Sequence, residues 1–132
     1  MKYDDASWHY GGDFPSESPA EYGGTHIGIF LKWCFIKGWA GELHTEEEND
    51  VVHAVIRGEM SGTVFLFKYC DGKLTDEDFN NEGNDFAAEH YDSFSMDAYC
   101  YLFPHQMYVA PESAHDVGKL FQQLDKKAAK NP

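Results

Sequence analysis

The apolar positions along the chain recur most regularly after residue 25. They follow the spacing of one helical face and are Ile27, Phe30, Leu31, Cys34 and Phe35. The other face is also apolar, with Ile29, Trp33 and Ile36. A helix that is apolar nearly all round usually lies at the centre of a domain. We therefore predict a central helix with Thr25 as its N-cap, ended by Gly38 and Gly41.

Two further helices are predicted before residue 70. Thr45 and Glu48 form a capping box, and a stripe of valines follows them. The run Thr63–Phe67 is short, apolar and rich in β-branched and aromatic residues, so its pattern fits a helix or a strand. We favour the helix, because Ser61 and a hydrophobic staple around it mark a helix start.

The second half of the chain predicts two more helices and a short element between them. The first has Thr75 as its N-cap and continues to Tyr91, with Gly83 inside it. A turn or short helix is expected over residues 96–103. The last helix begins near Ser113 and carries a regular amphipathic stripe, with lysines in its last turns.

Residues 1–24 differ from the rest, since they are rich in Gly, Pro and Ser and carry four aromatic anchors. We interpret them as an ordered arm that docks on a helical body of residues 25–130. A chain of 132 residues is the size of one domain. The predicted fold is therefore mainly α: a single-domain (1–132) compact helical bundle of about five to six helices with an irregular aromatic N-terminal arm and at most minor β.

The net charge of −13 is distributed unevenly. All but one of the 23 acidic residues lie in residues 1–116, whereas four of the ten basic residues lie in residues 117–132. An acidic body of this kind repels nucleic acid phosphates and anionic membranes, so we expect no direct nucleic acid or membrane binding. It attracts a basic partner.

The start of the chain is charged, with no apolar signal region after it, and the longest apolar stretch is too short to span a bilayer. The three cysteines, Cys34, Cys70 and Cys100, are an odd number and far apart, which suits free thiols in a reducing compartment. We therefore expect a cytoplasmic location.

Candidate chemistry is sparse. Residues 78–89 match an EF-hand loop in part, but Glu82 and Asp85 depart from the pattern and the predicted helix start at Thr75 conflicts with it. The histidines and cysteines show no zinc-ligand spacing. No nucleophile elbow, phosphate loop or dinucleotide fingerprint is present. We expect no catalytic residue, no metal and no cofactor, and an enzyme is the less favoured class.

Four parts of the sequence resemble an uncharacterised family of small bacterial cytoplasmic proteins. They are YDDASWHYGGDFP at residues 3–15, GTHIG and FLKW within residues 24–33, AGELH at residues 40–44 and YCDGKLTDEDFN at residues 69–80. The resemblance implies a bacterial source and a one-domain unit. It implies no established activity, so no catalytic residue is transferred from it.

Three functions remain open from the sequence. The first is an immunity or inhibitor-type protein that neutralises a basic partner such as a toxin. Its expected contact residues are Glu46, Glu47, Glu48, Asp76, Glu77 and Asp78. The second is a small enzyme or ligand-binding protein. Its pocket would be framed by Trp8, His9, Tyr10 and Asp13 and closed by Trp33 or Trp39. The third is a calcium-binding domain that uses residues 78–89.

Overall fold

Helices make up most of the chain in a computed structural model that describes residues 1–130. The α-helices are α1 (Thr25–Ile36), α2 (Glu42–Glu47), α3 (Asn49–Ile56), α4 (Gly62–Tyr69), α5 (Asn81–Ser93), α6 (Tyr99–Leu102) and α7 (Gly118–Ala129). Two short strands, β1 (Lys2–Asp5) and β2 (Lys73–Thr75), pair antiparallel. The prediction of a mainly α domain with minor β is confirmed. No helix in the described residues combines the length and hydropathy that a bilayer crossing requires.

Helix α1 lies at the centre of the core, as predicted. Nearly all of its residues are buried, on both of its apolar faces; Ile36, at its end, is 44% exposed. The predicted N-cap was wrong by one position, because Gly24 is the capping residue and Thr25 is already helical. The hydroxyl of Thr25 instead donates a hydrogen bond to the carbonyl oxygen of Ala110, which ties the helix start to the segment before α7.

Helix α4 crosses α1 at very short range, and two glycines allow the approach. A Cβ atom added to Gly62 would lie 1.9 Å from the carbonyl oxygen of Gly28, and one added to Gly28 would lie 2.3 Å from the amide nitrogen of Thr63. The Ser61 hydroxyl accepts a hydrogen bond from the Val64 amide at 3.0 Å and caps α4. The preference for helix over strand in this segment is therefore confirmed.

The single helix predicted from Thr45 is wrong, because the backbone breaks at Glu48. This residue has φ −143° and ψ 48°, which ends α2 and precedes α3. Helix α2 also begins earlier than expected, at Glu42. The carboxylate of Glu48 is bonded to the His44 ring at 2.7 Å. It therefore serves that histidine, and no capping box forms with Thr45.

The start of the next helix is also corrected. Thr75 caps a 3₁₀ turn, Asp76–Asp78, while α5 begins later and is capped by Asn80, whose side chain accepts from the Gly83 amide at 2.9 Å. Gly83 lies inside α5, where a Cβ atom would come within 2.9 Å of the side chains of Phe79 and Trp39, so the close packing there requires glycine. A π-helical turn, Phe94–Ala98, joins α5 to α6.

The structure corrects the predictions for residues 1–24 and for the last helix. The arm contributes β1, and two 3₁₀ turns, Ala6–His9 and Ala20–Gly24, lead from it to α1. Helix α7 begins at Gly118 and not near Ser113, because a 3₁₀ turn at Glu112–Ala114 precedes it.

Candidate functional site

An exposed acidic surface surrounds one exposed leucine on α2. We call it the Leu43 surface and define it by Glu42, Leu43, Glu46, Glu47 and Glu77. Leu43 is 49% exposed. The four glutamates are exposed, and within residues 1–130 no hydrogen bond or ion pair engages their carboxylates. Their charge is therefore available to a partner.

A groove runs between α2 and the segment that leads into α5. Its volume is about 630 Å³, and its walls are Glu42, Leu43, Glu77, Phe79, Asn80 and Asn81. The walls thus combine apolar side chains, two amides and two carboxylates, without a basic residue. A neighbouring depression of about 400 Å³ shares Leu43 and Glu77 but also contains Lys68 and Lys73, so its charges are closer to balance.

A buried histidine holds α2 in place beside this groove. The His44 ring contacts Glu48 through Nδ1 and Asp78 through Nε2, each at 2.7 Å, and its side chain is 1% exposed. Burial lowers the pKa of His44, but the hydrogen bonds that its ring donates to Asp78 and Glu48 outweigh burial and raise the pKa above its usual value. His44 therefore acts as a cationic clamp between α2 and the 3₁₀ turn Asp76–Asp78.

The backbone reinforces the same junction. The Gly41 amide donates to the Asp78 carbonyl oxygen at 3.0 Å, and Ala40 forms an isolated antiparallel bridge with Phe79. A Cβ atom on Gly41 would lie 2.5 Å from the carbonyl oxygen of Glu77. Helix α2 thus starts in direct contact with the turn that carries Glu77, which fixes the spacing of the two glutamates that flank the groove.

The six predicted contact acids fall into two groups. Glu46, Glu47 and Glu77 are exposed, and Asp76 is half exposed beside the amino group of Met1 at 3.2 Å. Glu48 and Asp78 point inward to His44, and Asp78 is 3% exposed. Those two acids hold the surface together and do not face a partner. Glu42 and Leu43 are exposed on the same surface. They were not predicted from the sequence, although both lie one helical turn from the predicted residues Glu46 and Glu47.

The four predicted pocket residues of the arm do not converge. Trp8 is 59% exposed, and Tyr10 and Asp13 are exposed as well. Trp33 is buried and packs against Trp39 with a ring separation of 5.3 Å. Neither tryptophan closes a pocket over the arm, because both belong to the core. His9 is the exception, since its ring turns inward.

His9 belongs to a buried polar group that the sequence did not reveal. We call it the Asp4 cluster: Asp4, His9, His26, Tyr91 and Tyr108. The Asp4 carboxylate faces Nε2 of His9 at 2.7 Å, Nε2 of His26 at 3.2 Å and the Tyr91 hydroxyl at 2.5 Å. The Tyr108 hydroxyl contacts Nδ1 of His9 at 2.5 Å. Pairing of β1 with β2 and the position of α1 bring these distant residues together.

The calcium loop predicted at residues 78–89 is not formed. Residues 81–89 lie in helix α5, the Asn80 side chain caps that helix, and Asp78 is directed to His44. A chelating loop needs its oxygen atoms to surround one point, and a continuous helix directs successive side chains to different sides.

Another depression, with mainly apolar walls, lies between α4 and the segment before α7. It has a volume of about 580 Å³ and includes Tyr22, Val64, Phe67 and Glu112 among its walls. The Glu112 carboxylate there accepts hydrogen bonds from the Gly62 amide at 3.0 Å and from the backbone and hydroxyl of Thr63 at 2.9 Å. That acid is therefore already satisfied by the N-terminus of α4.

Comparison with known proteins identifies a family. No curated protein and no solved structure matches the chain. A family model described as a domain of unknown function, DUF7832, matches residues 2–116, which include β1, both histidine clusters and the Leu43 surface but not α7. The chain therefore belongs to the DUF7832 family.

Proposed function

We propose that this protein is a bacterial cytoplasmic inhibitor of the immunity type, which binds a basic protein and neutralises it through the Leu43 surface. One observation carries the proposal: an exposed leucine lies among four glutamates that have no partner within the described residues. An apolar side chain surrounded by like charges is typical of an interface with a buried centre and a polar rim.

The groove beside Leu43 suits an arginine or lysine side chain of the partner. The aliphatic stem of such a residue packs on Leu43 and Phe79, while its charged head lies between Glu42 and Glu77. Two carboxylates offer charge-assisted hydrogen bonds, which are stronger than neutral ones. The net charge of −13 adds long-range attraction and accelerates the encounter with a basic protein.

The surface is held in shape before a partner arrives. The His44 clamp and the Gly41 contact fix α2 against the turn that carries Glu77. A preformed surface loses less conformational entropy on binding than a flexible one. This rigidity suits an inhibitor, which needs a slow dissociation rate.

The decisive experiment uses the products of the genes adjacent to this one as candidate partners. Each candidate partner is expressed in a bacterial host, and growth of the host is recorded with and without co-expression of this protein. Binding of the purified pair is then measured at about 50 mM and about 300 mM salt. We expect rescue of growth by one of these products, and binding that weakens as salt rises.

A pair of variants tests the surface itself. Glu42→Lys with Glu77→Lys reverses the two charges at the groove, and Glu17→Lys with Asp97→Lys makes the same change in net charge at exposed acids elsewhere. We expect the groove variant to weaken binding by at least about tenfold and the control by much less. Equal weakening of binding by both variants would contradict the proposal. So would the finding that no product of an adjacent gene is toxic and binds this protein.

A further inference from the structure

The Asp4 cluster contains a set of side chains that is typical of a metal centre. One ligand atom each from Asp4, His9 and His26 lies within 4.8 Å of the other two. We propose that these three residues bind a divalent transition-metal ion such as Zn²⁺ or Fe²⁺. Two imidazoles and one carboxylate are the ligand set of catalytic zinc sites and of non-haem iron sites. This inference is independent of the Leu43 surface.

The geometry is close to that of a loaded site. Both imidazoles approach Asp4 through Nε2, at 2.7 Å for His9 and 3.2 Å for His26, and they face different oxygens of the carboxylate. A metal ion about 2.0–2.2 Å from each ligand sets the ligand atoms roughly 3 Å apart. Small outward movements of these side chains therefore make room for the ion.

The charges of the cluster call for a cation. Asp4 is 5% exposed, and in the described part of the chain its ion-pair partners are the two histidines, with no lysine or arginine. The Tyr91 hydroxyl also donates to the Asp4 carboxylate, at 2.5 Å. The buried His26 ring faces that carboxylate through Nε2 at 3.2 Å, so it is placed to bind the same ion.

The protein groups alone do not complete the cluster. His26 is 1% exposed, and its Nδ1 has no hydrogen-bond partner in the structure. A buried polar atom without a partner is rare, and here it leaves Nδ1 of His26 free to carry the ring proton while Nε2 binds the ion.

Tyr108 supports His9 from the outer side. Its hydroxyl contacts Nδ1 of His9 at 2.5 Å, as the hydrogen-bonding partner of a metal-bound histidine does. The backbone of Tyr108 has φ 70°, a left-handed conformation that a bulky residue rarely adopts and that clusters at functional sites. The His9 side chain is 20% exposed, which leaves a path for the ion and room for a further ligand.

The second group of this kind, His44 with Cys70 and Asp78, is not the proposed site. Both ring nitrogens of His44 already contact carboxylates. Burial, and after it the nearby charge of Asp78, raises the pKa of the Cys70 thiol far above its usual value, which disfavours the thiolate that binds metal. The two groups therefore differ in a way that a spectrum detects.

The test is a Zn²⁺ titration of the purified full chain after treatment with a chelator, followed by calorimetry. We expect one ion per chain. His9→Gln and His26→Gln should each weaken binding by at least about tenfold, and Tyr108→Phe by about tenfold. The control is His53→Gln, which changes an exposed histidine on α3 and should leave the affinity unchanged. Circular dichroism checks the fold, and if His26→Gln unfolds, His9→Gln decides alone.

Cobalt(II) in place of zinc identifies the ligands. We expect the cobalt-loaded native protein to show an absorption spectrum that lacks a thiolate-to-cobalt charge-transfer band. We expect the whole cobalt spectrum to be lost in His9→Gln. Three results would overturn the proposal: no Zn²⁺ binding at micromolar protein, binding that His9→Gln leaves intact, or a thiolate band that shows the ion at Cys70 instead.

Discussion

Replacing His44 with glutamine tests whether a buried cation holds the Leu43 surface together. In the native protein the ring lies between Glu48 and Asp78 at 2.7 Å on each side and is 1% exposed. Glutamine has a similar reach and keeps a hydrogen-bond donor, but it has no charge. The His44→Gln variant therefore leaves two carboxylates near each other without the cation between them.

The magnitude follows from the burial of the pair. Removing one partner of a buried charge pair destabilises a protein by about 3–5 kcal/mol. Because glutamine retains a donor, we expect the lower end, about 3 kcal/mol. With a urea m-value of about 2 kcal/mol/M, the unfolding midpoint should fall by roughly 1.5 M. A domain of this size has about 5–15 kcal/mol of stability, so the variant should still fold.

The pH dependence gives the sharper result. His44 has a raised pKa in the folded protein, so its contribution to stability is fully present below its unfolded pKa of about 6.5. That contribution is lost as the pH rises through the higher folded pKa. The difference in the free energy of unfolding between the native protein and His44→Gln should therefore be larger at about pH 6 than at about pH 9.

Urea unfolding at both pH values, followed by tryptophan fluorescence, measures this difference. The matched control is His53→Gln, which changes an exposed histidine on the neighbouring helix and should have little effect at either pH. A stability difference for His44→Gln that stays constant between the two pH values would refute the cationic clamp. A difference below about 1 kcal/mol at the lower pH would do the same.

Two further predictions concern the core. Gly62→Ala should destabilise the protein by about 3 kcal/mol or more, because its new methyl group would lie 1.9 Å from the Gly28 carbonyl oxygen. Thermal unfolding measures this loss. An unchanged unfolding midpoint would show that α1 and α4 do not touch. Iodoacetamide should label the exposed Cys100 in the folded protein well before Cys70, whose thiol pKa is strongly raised by burial and by Asp78; mass spectrometry reads the order, and equal rates would contradict it.

The helices that were predicted correctly are those whose sequence signal is local. The apolar pattern of α1 and the Ser61 cap of α4 lie within the elements that they specify. The helix predicted from Thr45 failed because Glu48, read as part of a capping box, is bonded to His44 in the structure. The other side of the same ring is bonded to Asp78, 34 residues further along the chain. Local pattern does not contain such a pairing.

The same distinction applies to the candidate sites. The acidic runs that hold Glu46 and Glu77 are visible in the sequence, and the structure shows which members face outward. The Asp4 cluster left no comparable signal. Its hydrogen-bonded members are separated by as many as 99 positions, and a lone histidine or tyrosine in an aromatic arm is most often a packing residue. Strand pairing between β1 and β2 places Asp4, and α1 and α5 bring His26 and Tyr91 to it.

That pairing also determines when the N-terminal arm is able to fold during synthesis. Lys2 pairs with Thr75, and Asp4 needs Tyr91, which lies 87 residues further along the chain. At about 5–20 residues per second, a ribosome takes on the order of 4–17 s to make that interval. Throughout this time Asp4 lacks Tyr91, and for most of it Tyr3 lacks Phe79, which its ring contacts in the folded protein. A nascent chain of this protein should therefore bind chaperones through its first residues, and should release them only after α5 has emerged.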